Sequence, residues 1–250
     1  MPDGFVRVVF VFSGSLRLVD TVSPAQAVTV SSVISGVRAT AMLAERAGPL
    51  RGVTVMLTPL AAYQILSVPM TELASRIVDF ADLFGPLAGD CSERLASCPD
   101  WDSVFALLDE ALHAQLMVGS ENSPEVAAAW RHLHRTSGRM PVRQLADEAG
   151  WSRRQLERRF QEQVGLSPKS LAQVLRLQEA LRHKRRGMEW AEVAVAAGYH
   201  DQPHFARSFK AMIGCTPGRF SATWAEAEPA GPLDALPATM TGDLLMLEAS

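Results

Sequence analysis

The sequence predicts an α+β N-terminal domain, a small β-rich unit followed by helices, leading into an all-α C-terminal domain. Three observations predict it. Val6, Val8, Phe10 and Phe12 alternate with their neighbours, and Val28-Thr29-Val30 and Val53-Thr54-Val55-Met56-Leu57 are β-branched runs bounded by Gly, Ser and Pro, as short strands are. From about Ala61 onward the pattern turns helical. In the C-terminal third one motif occurs twice, and each copy reads as two helices joined by a tight turn.

At 250 residues and 48% hydrophobic content, the chain can bury one large core or two ordinary ones. Cys91, Cys98 and Cys215 form neither a CxxC pair nor a zinc-ligand spacing, which fits a reducing, cytoplasmic setting. The apolar run Val8 to Phe12 ends at Ser13-Gly14, too short for a secretory signal. Nothing approaches the roughly 20 apolar residues of a membrane span, so no membrane partner is expected. The formal charge of −3 is strongly segregated, with −4 on residues 1–139, +6 on 140–224 and −5 on 225–250. A basic region between acidic ones suits counterion displacement from a phosphate backbone, although solvated basic faces are common and charge alone decides little.

The elements follow in order. After the strands between Phe5 and Leu57 come a short helix near Ala61 to Leu66, a helix from about Trp101 to Met117 capped by Asp100, and another starting at Ser123-Pro124. Val126, Trp130 and Leu133 share one face of that last helix and read as core. Gly119 to Pro124 is the best candidate hinge, with a second break at Thr136-Ser137-Gly138. The expected division is 1–120 for a regulatory or oligomerisation domain, 121–139 for a helix and hinge, 140–224 for the double helical motif, and 225–250 for a flexible acidic, Pro/Ala-rich tail.

The repeat is specific. Leu145-Ala146-x3-Gly150-Trp151-x8-Phe160-x4-Gly165-x2-Pro168 recurs as Val193-Ala194-x3-Gly198-Tyr199-x9-Phe209-x4-Gly214-x2-Pro217. Gly at each helix end fits a left-handed C-terminal cap. In the first copy Val142 to Ala149 is the supporting helix, and Ser152 caps a second helix whose core face is Leu156, Phe160 and Val164. Its other face carries Arg153, Arg154, Arg158 and Arg159 with Gln155, Glu157 and Gln161, side chains that can reach base edges or phosphates. In the second copy Asp201 is the cap, Pro203 lies in the first turn, Phe205 and Phe209 face the core, and Gln202, His204, Arg207 and Lys210 remain outside. Ser167-Pro168 opens a connecting helix to about Lys184 with an apolar stripe of Leu171, Val174, Leu177 and Leu181. Its length of about 25 Å could set two recognition helices near the ~34 Å between successive major grooves. Lys184-Arg185-Arg186 reads equally as a complement to the helix dipole or as a phosphate contact.

The run Gly198-Tyr199-His200-Asp201-Gln202-Pro203-His204-Phe205-Ala206-Arg207-Ser208-Phe209-Lys210, followed by Gly214-Cys215-Thr216-Pro217, resembles the signature of the AraC/XylS family of transcription regulators. The resemblance implies a sequence-specific regulator of double-stranded DNA that reads two successive major grooves. By it, Arg154, Glu157 and Arg158 in the first unit and Gln202, His204 and Arg207 in the second would face bases, while Ser152, Arg153, Lys169, Lys210, Thr216 and Arg219 would contact phosphates. Glu157 fits a cytosine-type acceptor contact or an Arg-orienting role, and Ser221 stands where many members carry Arg. RNA polymerase, a small-molecule effector and a homodimer partner are further implications. Gly52 to Pro59, Leu66 to Pro69 and Leu83 to Pro86 are similar to the β-rich sensor portion of one AraC-like subgroup. Members of that subgroup begin with further strands, so the barrel is expected to be incomplete.

Other classes fare worse. A metal-dependent oxygenase on a β-barrel needs strand histidines, and the first histidine is His113 on a predicted helix. A DNA-repair methyltransferase needs an early cysteine-rich zinc site, and the first cysteine is Cys91. His132 and His134, two apart on a helix, point in different directions. No metal, cofactor or enzymatic activity is expected. The alternative from another class is an architectural protein that dimerises through its N-terminal half and binds DNA with low specificity.

Overall fold

Alternation along Val6 to Phe10 places Val6, Val8 and Phe10 on one face of a strand, and in the computed structural model all three are buried. The structure describes residues 1–2, 4–21, 28–30, 32–84, 86–226 and 245–248. Strand β1 (Val6–Asp20) pairs antiparallel with β4 (Met42–Leu57), with Val6 opposite Leu57 and Phe10 opposite Val53. The register shifts between Val11 and Ser15. Gly14 sits there at φ +86°, where a Cβ would stand 2.4 Å from the Pro49 carbonyl oxygen, so only glycine fits the kink.

On the other side of β1 lie β2 (Val28–Val30) and β3 (Ser32–Ser35), and β5 (Ile77–Asp79) pairs with β3. Strand β6 (Leu245–Glu248) pairs with Val53–Met56 of β4. The order is β5-β3-β1-β4-β6, with β2 on β1 off this path. Among the described residues the path ends at β5 on one side and β6 on the other. Within the stretch expected to be a tail, Leu245–Glu248 lies along the edge of β4. Residues 227–244 and 249–250 lie outside the described residues.

Helices α1 (Pro59–Leu66), α2 (Met70–Leu73), α3 (Phe80–Phe84), α4 (Pro86–Ala96) and α5 (Trp101–Val118) follow β4. Caps start α1 and α5: the Thr58 hydroxyl accepts from Ala61 N–H at 3.2 Å and the Asp100 carboxylate from Ser103 N–H at 2.8 Å. Residues of β1, β3 and β4 share a core with Met70, Leu73, Leu95, Val104 and Leu108. Leu166 and Val174 of the C-terminal half belong to the same core. The two halves are therefore packed together rather than tethered.

The segment expected to be a hinge is held on both sides before α6 (Pro124–Arg135) begins. Asn122 donates to the Leu60 carbonyl at 3.1 Å, and Ser123 N–H donates to Gln163 Oε1 at 3.0 Å. The second break is likewise anchored. Arg176 donates from Nε to the Gly138 carbonyl at 3.1 Å, and Gly138, at φ +71°, lies against the backbone of Ala172. Among the described residues no helix is long and apolar enough to cross a membrane, and no cluster of His, Cys, Asp or Glu could hold a metal ion.

Candidate nucleic-acid interface

The duplicated motif folds as two matching pairs of helices. The first pair is α7 (Val142–Glu148) and α8 (Arg153–Val164), and α9 (Pro168–Arg185) connects it to α10 (Trp190–Ala196) and α11 (Gln202–Ile213). α12 (Pro217–Glu226) closes the region. α7 and α10 have 7 residues each, α8 and α11 have 12. The turns depend on left-handed glycines, with φ +66° at Gly150 and +78° at Gly198. The extra residue of the second copy is His200, inserted between the turn aromatic and the cap.

Caps fix where each exposed helix begins. Ser152 Oγ accepts from Gln155 N–H at 3.2 Å, and Asp201 Oδ1 accepts from His204 N–H at 2.6 Å. The His204 N–H, and after it His200, holds the Asp201 carboxyl below the usual carboxylate range, so a full negative charge faces the positive end of α11. Beneath the helices the cores differ in kind. Leu145, Leu156, Phe160 and Val164 pack with Trp130 and Leu133 of α6 in the first unit. In the second, Phe205 and Phe209 pack edge-on at 5.6 Å and are flanked by Trp190, Tyr199 and Phe220. Tyr199 also meets the His204 ring edge-on at 5.6 Å. The core assignments of Trp151, Phe160, Tyr199 and Phe209 hold, with Trp151 partly buried.

The outward face of α8 separates into committed and uncommitted arginines. Arg153 Nε lies 3.2 Å from Glu157 Oε1, and Arg159 Nη1 lies 3.2 Å from Glu162 Oε2. Arg154 and Arg158, one turn apart, are exposed and make no ion pair among the described residues. On α11 Gln202, His204, Arg207 and Lys210 are exposed. Arg158 and Arg207 occupy equivalent places in the repeat, each on the outer face ahead of the buried Phe160 or Phe209. Ser152, Arg153, Lys169, Lys210, Thr216 and Arg219 are exposed as well, near the helix starts of the two units or along their outer faces. Thr216 Oγ1 accepts from Arg219 N–H at 3.4 Å, a role alongside any phosphate contact.

Three local roles escaped the sequence reading. Ser221, where the family resemblance led to expect Arg, accepts from Trp190 Nε1 at 2.9 Å and so holds α12 to α10. Gln163 is buried and ties α8 to the start of α6, although its residue type reads as surface. Lys184 donates to the Met188 carbonyl at 3.1 Å and lies 5.5 Å from the centre of the Trp190 ring, a local use that favours the helix-end reading of Lys184-Arg185-Arg186. For Gln163 the available signal was position: it stands three residues beyond Phe160, where an apolar side chain would continue the buried face.

A family model described as a helix-turn-helix domain matches residues 145–223. The chain is 38% identical over 80 residues to the HTH-type transcriptional regulator MtrA of Neisseria gonorrhoeae, covering 32% of this chain and 27% of that protein. It is 35% identical over 99 residues to an AraC-like transcription regulator of Streptomyces lividans, covering 39% and 33%. The chain thus spans a third or less of the length of these relatives. Among solved structures, ToxT from Vibrio cholerae aligns over 86% of this chain and 87% of its own at 11% identity, with a TM-score of 0.45. The sequence matches converge on the C-terminal region, which is a helix-turn-helix domain of the AraC type.

Proposed function

We propose, from the AraC-type helix-turn-helix domain in residues 145–223, that this protein is a sequence-specific DNA-binding transcription regulator that reads two successive major grooves with α8 and α11. The observation that carries the proposal is the pair of equivalent arginines, Arg158 and Arg207, exposed on helices of equal length that are capped alike. Arginine is the side chain best shaped for bidentate contact with guanine in the major groove. Arg154 and Arg158 on α8 and Gln202, His204 and Arg207 on α11 form the base-facing set, with Glu157 between the two arginines orienting Arg153. Ser152, Arg153, Lys169, Lys210, Thr216 and Arg219 form the phosphate-facing set. The 18 residues of α9 span about 27 Å at 1.5 Å per residue, a spacer of the size two adjacent grooves require.

The N-terminal domain, in this reading, regulates or self-associates and does no chemistry, and its partners would be an effector, RNA polymerase or a second copy. The test of the main reading is selection of duplex DNA from a random library by the purified full chain, followed by a salt titration on the enriched site. The expected result is a discrete site with two short conserved blocks about 10 base pairs apart, bound with an affinity that falls steeply with salt. Enrichment of no sequence over the starting library would overturn it.

A further inference from the structure

The two helices proposed to read DNA are exposed where they begin and docked on the N-terminal domain where they end. The docking points are equivalent positions of the repeat. Gly165 closes α8 at φ +85°, and a Cβ there would stand 3.0 Å from the Met70 carbonyl oxygen and 3.5 Å from Ala74 Cβ. Gly214 closes α11 at φ +90°, and a Cβ there would stand 2.8 Å from the Thr21 carbonyl oxygen. Beside it the Met212 carbonyl accepts from Ala41 N–H at 2.7 Å, and the Ala41 carbonyl accepts from both Thr21 N–H at 3.2 Å and the Thr21 hydroxyl at 2.9 Å.

One side chain joins the two docking points. Arg38, on the loop between β3 and β4, pairs with the carboxylate of Asp20, the neighbour of Thr21. It also donates to the carbonyl of Ser75, the neighbour of Ala74, at 2.7 Å. The Arg38 and Asp20 side chains are 13% and 15% exposed, so solvent screens the pair little and the planar guanidinium holds both partners in fixed directions.

We infer that Arg38 is a positioning residue for DNA recognition: by tying Asp20 to Ser75 it fixes the separation of the two docking points, and with it the spacing of α8 and α11 and the number of base pairs allowed between the two half-sites. The inference rests on the two-groove reading proposed above. A single inserted base pair moves the second half-site by roughly 3.4 Å and about a tenth of a turn. A rigid frame rejects that displacement, and a loosened one follows it.

The test uses the full chain and a set of duplexes in which the selected half-sites are separated by the preferred spacing or by one or two base pairs more or fewer. A duplex with one half-site alone serves as reference. The wild type should lose affinity by about tenfold or more per base pair of misfit, the order of cost of a mismatched contact. The double variant Asp20→Asn with Arg38→Met removes both charges, so that neither is left buried alone. It should flatten the spacing profile to within about threefold while single-half-site affinity stays at the wild-type level. Arg38→Lys, which offers a point charge instead of a fork, should fall between. Ala74→Glu, a wedge under the end of α8, should flatten the profile as well and gives a second route if the double variant does not fold. An unchanged profile in folded variants, an equal loss at every spacing, or a wild type indifferent to spacing would each overturn the inference. A wild type that selects no sequence would overturn the DNA reading itself.

Discussion

Arg153 and Glu157 face each other across one turn of α8, with Nε 3.2 Å from Oε1, so the acid of the outer face is turned toward an arginine of its own helix. Both side chains are partly solvated, and such a pair contributes little to stability. Its consequence is for charge. Together with the Arg159–Glu162 pair it cancels two of the four arginines of the face and leaves Arg154 and Arg158 uncommitted. Of the two roles open to Glu157, the geometry supports orienting Arg153 over accepting from a cytosine.

Glu157→Ala should therefore raise affinity for all duplex DNA several-fold, steepen the salt dependence and leave the preferred sequence unchanged. Binding measured on selected and scrambled duplexes checks it. A loss of preference confined to one base pair would assign Glu157 to base contact instead.

Ser152 has two uses that one substitution separates. Its oxygen accepts from Gln155 N–H, which leaves the hydroxyl proton available for a phosphate. Ser152→Ala should lower unfolding free energy by about 1 kcal/mol and weaken binding evenly across sequences. Ser152→Asp should recover the stability while weakening DNA binding further, since a carboxylate caps the helix and repels phosphate. Denaturant titration beside a binding series distinguishes these outcomes.

The C-terminal region was legible because several independent signals coincide there. Gly150, Gly165, Gly198 and Gly214 all take the left-handed conformation expected at helix ends, Ser152 and Asp201 cap as expected, and Leu156, Phe160, Phe205 and Phe209 are buried. The N-terminal domain was legible only in its longer elements. α2 and α3, of four and five residues, are too short to show a helical period. Strand β5 is three residues long and forms only because β3 offers a partner. The docking of α11 escaped detection because the bond between Ala41 N–H and the Met212 carbonyl is made by backbone and leaves no mark in residue type. Asn122 and Ser123 are likewise typical loop residues, and nothing local reveals that Leu60 and Gln163 hold them.

His134 should make stability depend on pH. Its ring packs tilted against Trp130, 4.0 Å between ring centres, and burial, then the charge of Arg182, lowers its pKa from 6.5 to about 4. The folded state keeps the ring neutral while the unfolded chain protonates it, so its contribution is intact above pH 6.5 and declines as pH falls toward about 4. The shift corresponds to a loss of roughly 3 kcal/mol across that window. Denaturant titrations at pH 7 and pH 5 should show a smaller drop for His134→Phe, which keeps a ring against Trp130 without the titration. Equal drops in the two proteins would remove His134 as the cause.

The most direct test of the account is to select binding sites with Arg158→Ala and Arg207→Ala in the full chain, beside Lys169→Ala as a phosphate-facing control. Each arginine variant should lose about 1–3 kcal/mol on the wild-type site and relax preference in one block only, the two blocks lying about one helical turn apart. Lys169→Ala should weaken every sequence alike. If Arg158→Ala and Arg207→Ala relaxed the same base pairs, or if both weakened all sequences evenly as Lys169→Ala does, two helices reading two grooves would be the wrong description of this protein.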